Sequence, residues 1–156
     1  MDGLIELIFE GVSDGAVDRL VYDLLQGVDI LEISPSEFGI IGQTQINNDL
    51  MPLLKKEAAP ASIFLRAAFA TIGGVPIRSP LVRILRFEGS NEVAVVFGSA
   101  NIDAGDRQDA VKRLAAGSSM LANSVGVSEY YCGIEPATDE RTRLFYRDKI
   151  GPLDKV

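Results

Sequence analysis

EYYCGIEPATDERTRLF, residues 129–145, gathers two tyrosines, the chain's lone cysteine, four carboxylates and two arginines. Side chains of these types perform nucleophilic or acid–base catalysis once something activates them. Cys132 needs thiolate stabilisation by a helix N-terminus or a neighbouring cation. Arg141 and Arg143 are close in sequence, yet no base accompanies them, and a small thiol within a strand-like run packs as a hydrophobe. Glu135 and Asp139 have the residue types of an acid–base pair, but their spacing alone does not make them converge. Tyr130 and Tyr131 alternate along the strand, which predicts one ring in the core and one outside. The stretch therefore reads as an edge strand followed by a packed tail.

The rest of the chain narrows the chemistry further. It contains no histidine. Histidine triads, Cys-His dyads and zinc sites of the usual nitrogen and sulfur kind are thereby excluded. No GxxxxGK[ST] loop occurs, so a phosphate-cradling P-loop is unsupported. GSANIDAGD (98–106) leads small residues into a helix start, but Asp103 and Asp106 stand where a phosphate would sit and repel it. Asp103, Asp106 and Asp109 recur at three-residue spacing, which does not match an EF-hand loop and suits helix capping better. No cofactor and no metal site is expected.

Charge is distributed more tellingly than chemistry. The net charge is −7, and residues 1–50 hold ten acids against the single base Arg19, a local −9. Residues 51–156 hold twelve acids and fourteen bases. An anionic first third repels nucleic acid phosphates and steers cationic partners. Surface acids also keep ordinary proteins soluble, so the charge indicates a partner class without identifying one.

The elements that would position these residues can be read from the pattern. LIELIFE (4–10) is a strand, and Ser13 with Asp14 can cap the helix that follows. In AVDRLVYDLLQG, Val17, Leu20, Val21 and Leu24 share one helical face. Asp18, Arg19, Tyr22, Asp23 and Gln26 share the other, and Gly27 is the stop. DILEIS (29–34) and FGIIGQTQ (38–45) read as strands around a turn at Pro35-Ser36-Glu37. A helix is expected from Leu50, and a second, more buried one from Pro60 to about Ile72, ended by Gly73, Gly74 and Pro76. LVRILRFE (81–88) and EVAVVFG (92–98) form a hairpin about GSN. Arg83 and Arg86 face opposite sides of its first strand, so at least one needs a carboxylate partner. A long helix spans about Ala104 to Val125 with a buried stripe of Val111, Leu114, Ala115, Ser118, Leu121, Ala122 and Val125. VSEYYCGI (127–134) is the last strand.

Helices alternating with strand pairs predict one α+β domain over residues 1–156, a sandwich of a mostly antiparallel sheet with helices packed on one face. With 156 residues, of which 47% are apolar, the chain can bury a core without disulfides. A lone cysteine and an acidic amino-terminal start point to a cytoplasmic setting. The apolar run 58–77 is broken by Pro60, Arg66, Gly73, Gly74 and Pro76, so a buried helix is favoured over a membrane span.

A compact acidic chain of this kind, ending in EYYCGIEPATDERTRLF and a later GPL, resembles the small immunity proteins of bacterial polymorphic toxin systems. That resemblance implies binding to a cognate toxin domain and occlusion of its active site. The leading expectation is thus a non-enzymatic module that neutralises a basic toxin or nuclease domain through its acidic first third. Asp18, Tyr22, Asp23, Glu32 and Glu37 are the expected contacts, the acids steering and the aromatic anchoring. Neither nucleic acid nor membrane is an expected partner, and a homodimer is left open. The alternative is a small-molecule-binding or carboxylate-dependent enzyme domain, with Arg83 or Arg86 holding an anionic ligand and Glu135 or Asp139 as base. A self-assembling structural subunit is a third.

Overall fold

Strand β1, Leu4–Val12, sets the frame because its side chains alternate cleanly between two faces. Ile5, Leu7 and Phe9 point into the main core, while Glu6, Ile8 and Glu10 point the other way. A bulge lies between Phe9 and Val12, where Gly11 has φ +63°. The extra residue resets the alternation, so Val12 returns to the core.

In the computed structural model, which describes residues 3–26, 30–35, 61–103 and 105–153, β1 is central to an eight-stranded sheet. The other strands are β2 (Ile30–Pro35), β3 (Ala61–Ala67), β6 (Leu81–Phe87), β7 (Ser90–Gly98), β8 (Glu129–Ile134), β9 (Arg143–Tyr146) and β10 (Lys149–Ile150). Their order is β10-β9-β8-β1-β7-β6-β3-β2, and every pairing is antiparallel. A separate hairpin joins β4 (Phe69–Ile72) to β5 (Val75–Arg78).

Two helices, α1 (Asp14–Leu24) and α2 (Arg107–Val125), cover one face of the sheet. Their buried residues, Val17, Leu20, Val21 and Leu24 from α1 and Val111, Leu114 and Ala115 from α2, join Ile5, Leu7 and Phe9 in a single core. The chain is therefore an α+β protein with a mostly antiparallel sheet and its helices on one side, as the pattern predicts. Asp106 caps α2, its Oδ1 accepting from the backbone N–H groups of Gln108 and Asp109. Among the described residues no helix is long and apolar enough to cross a membrane.

Several local expectations are corrected. Residues 61–72 are not a helix but β3 and β4. ASIFLRA buries Ile63 and Leu65 and exposes Arg66, a two-residue period, and it pairs with β6 on one side and β2 on the other. Gly73 and Gly74 turn a hairpin rather than ending a helix. Ser13 makes no side-chain cap bond at α1, and Asp14 is engaged by Arg86 and Asn91. Strand β8 is interior, between β1 and β9, and the tail supplies two further strands. Both Tyr130 and Tyr131 are buried. The strand expected at 38–45, the helix from Leu50 and the stop at Gly27 lie outside the described residues.

Candidate functional site

The two faces of the sheet treat polar side chains differently, beginning with the acids of β1. Glu6 is only 5% exposed. Its Oε2 accepts from Arg83 Nη2 at 3.1 Å and its Oε1 from the Ala137 N–H at 3.1 Å. The strand register creates this pair: Glu6 lies opposite Val96 and Arg83 opposite Ala94, so the two meet diagonally across β7. Arg83 also lies 3.8 Å from Glu92. Glu10 accepts the Tyr131 hydroxyl at 2.6 Å. The Arg143 guanidinium stacks over the rings of Tyr131 and Tyr146, 4.6 and 4.9 Å from their centroids.

These contacts set the proton affinities of Glu92 and Tyr131. Burial holds the Glu92 carboxyl above its ordinary range, opposed by Arg83 and reinforced by Glu10 and Glu6. Burial likewise pushes the Tyr131 hydroxyl up, and its bond to Glu10 pushes it further. The Cys132 thiol is fully buried and raised by desolvation, with Glu6 adding to the effect, so it is no thiolate nucleophile. Asp139 goes the other way. Arg141 bonds its carboxylate through side chain and backbone and holds it below the usual range, which makes it a weak base.

Both arginines considered for an anionic ligand are already engaged. Arg83 serves Glu6 and Glu92; Arg86 serves Asp14 and Asn91. They face opposite sides of β6 as alternation predicts, and each has its carboxylate. Asp109 pairs with Arg113 at 3.8 Å on α2, a helix-surface pair rather than a metal ligand. Among the described residues no three side chains of metal-binding type converge.

Three of the five expected contact residues lie on the helix side. Asp18 and Asp23 are half-buried on α1, and Tyr22 between them is 51% exposed. Asp23 lies 3.9 Å from Arg19, a loose pair with a largely exposed arginine. The backbone of Glu32 lies in β2 opposite Arg66. Its side chain, and all of Glu37, lie outside the described residues. The described acids of the first third thus divide between two faces: Glu6 and Glu10 beneath the sheet, Asp18 and Asp23 above it, with Asp14 drawn to Arg86.

Beside Asp23 lies a depression of about 380 Å³, lined by Gln26, Thr71, Ile72, Gly73, Gly117, Met120, Leu121 and Ser124. Met120 was not singled out by the sequence pattern, although it is the large apolar residue that falls outside the α2 buried stripe. That departure was the available signal. The depression's floor is backbone against backbone: a Cβ on Gly117 would stand 2.3 Å from Gly73 N. Only glycines allow the β4–β5 turn to rest on α2 this closely.

A chain in the crystal structure of the toxic C-terminal tip of CdiA from Pseudomonas aeruginosa in complex with immune protein has the same fold, with a TM-score of 0.80. The two are 24% identical, over 98% of this chain and 99% of that one. The family described as PABL017 Cdi1I immunity protein matches residues 3–150. This chain belongs to that immunity protein family. No curated protein matches it.

Proposed function

We propose that this chain is a non-enzymatic binding module that neutralises a toxin tip of the CdiA kind by occupying its surface. The observation that carries the reading is membership of an immunity protein family over nearly the whole chain. The side chains agree with it. The reactive types are held in internal roles: a raised, buried thiol, a lowered carboxylate on Arg141, and arginines engaged by Glu6, Asp14 and Glu92.

In this proposal the contact surface is the helix side. Asp18 and Asp23 steer a basic toxin face, such as that of a nuclease domain, and Tyr22 anchors it. Glu32 and Glu37, from the same acidic third, are the remaining proposed contacts. The module works in the cytoplasm, where an incoming toxin acts.

Co-expression tests the reading. A cognate toxin tip of the CdiA kind arrests growth when induced alone, and growth is restored when the chain is made with it. Purified together, the two migrate as one complex on sizing. Continued arrest in cells that accumulate soluble chain would overturn the proposal.

A further inference from the structure

We infer that the depression between α1, the β4–β5 turn and α2 is a socket for an apolar side chain of the toxin, with a neighbouring Lys or Arg set against Asp23. The inference rests on the neutralisation reading above and specifies which part of the helix side makes the contact. Tyr22, Phe69 and Met120 are three of the six large apolar side chains left exposed among the described residues, at 51%, 47% and 75%. One of them lines this depression, and the other two stand close to its lining residues in the chain. Met120 lines it directly. Phe69 lies two residues before the lining residue Thr71 in the same outward row of β4. Tyr22 immediately precedes the lining residue Asp23 on α1. Exposed apolar surface gathered around a concavity is the mark of a contact site rather than of ordinary surface.

Charge selects the partner's chemistry. Among the described residues the lining contains one carboxylate, Asp23, and no cationic side chain, the nearby Arg113 guanidinium being turned onto the carbonyls of Gly73 and Gly74. Arg19 is 3.9 Å away and largely exposed, so it can swing aside for a cation delivered by the toxin. The socket is also preformed, because the Gly73–Gly117 contact fixes its floor, and a rigid floor lowers the ordering cost of binding. Methionine at the rim adapts to the shape of an incoming side chain.

The test uses the full chain and a cognate toxin tip of the CdiA kind, with affinity measured by calorimetry. Met120→Glu places a charge at a highly exposed helical position that folding does not need, and it weakens binding by roughly 30-fold or more, as a centrally placed contact does. Met120→Leu keeps the apolar rim and stays within about 3-fold of the parent. Parent-like binding by Met120→Glu overturns the socket while leaving neutralisation standing. A parent chain that does not bind the toxin tip at all overturns the neutralisation reading itself. A dimeric parent that Met120→Glu converts to monomer, with toxin affinity unchanged, assigns the depression to a second copy of this chain and also overturns the socket.

Discussion

Glu6 and Asp23 come from the same acidic third of the chain and meet opposite fates. Glu6 is buried under the sheet, its two oxygens divided between the Arg83 guanidinium and the Ala137 amide. Asp23 sits at the lip of a depression on the helix side, in a loose pair with an exposed arginine. The first carboxylate is structural: withdrawn from water, it holds the β8–β9 connection against β1 and contributes little field outside the molecule. The second is available to a partner. A count of acids along the sequence therefore overstates the docking charge, because the strand register decides which acids face arginines from the rest of the chain. Phe87 makes the same distinction in apolar terms. It is 60% exposed on the sheet side, yet it lies in a depression with Glu10 and Glu92, apart from the Tyr22–Phe69–Met120 group.

Changes on each side test that contrast. The largest effect is expected from Arg83→Ala, which leaves Glu6 buried without its cation. Urea unfolding should show a loss of about 3 kcal/mol, with much of it restored when Glu6→Gln is added. A neutral Arg83→Ala would mean that the Glu6 network is not internal in the sense described. Next comes Gly117→Ala, whose Cβ collides with Gly73 N. Alanine improves the helix but forces the β4–β5 turn away, for a net loss of about 1–2 kcal/mol in the same assay. Reversing both Asp18 and Asp23 to Lys should slow toxin association about 10-fold at low salt and flatten its salt dependence. The double variant should stay folded, losing less stability than Arg83→Ala in the same assay. Unchanged association rates would remove the steering role of α1.

The smallest effect belongs to Glu92. Its carboxyl is raised above the ordinary value of 4.5 by burial, then by Glu10 and Glu6, against the pull of Arg83. A raised carboxyl binds protons more readily in the folded chain than in the unfolded one. Its ionisation therefore costs stability as pH rises through the window above 4.5, and the cost persists at neutral pH. Glu92→Gln should accordingly raise the melting temperature at pH 7 by a degree or two at most, about the shift a fraction of 1 kcal/mol produces. The advantage should vanish at pH values below the carboxyl window. Thermal scans across pH 4 to 8 would show a reversed trend if Arg83 outweighed the burial.

Much of this layout was legible before any coordinates. The β6–β7 hairpin declares itself through alternating residues about a short polar turn, and α2 through its buried stripe and the Asp106 cap. β3 and β4 did not, because ASIFLRAAFATI is apolar at nearly every position. Period alone cannot separate strand from helix there, and the alanines favour the wrong choice; pairing with β6 settles it. Asp18, Tyr22 and Asp23 were readable as an outward helical face. Their neighbours in the socket were not, since Gly73 and Gly117 are distant in sequence and meet only when the hairpin lies on α2. The Glu6–Arg83 pair was hidden for the same reason: the need for a carboxylate near Arg83 was visible, but its identity depended on register.

Side-chain oxidation by hydroxyl radicals, compared between the free chain and its complex with the toxin tip, addresses the central claim most directly, because each side of the molecule carries its own exposed reporters. The account predicts that Tyr22, Phe69 and Met120 become protected in the complex while Phe87 is oxidised as before. Protection of Phe87, with Tyr22 and Met120 oxidised equally in both states, would contradict it.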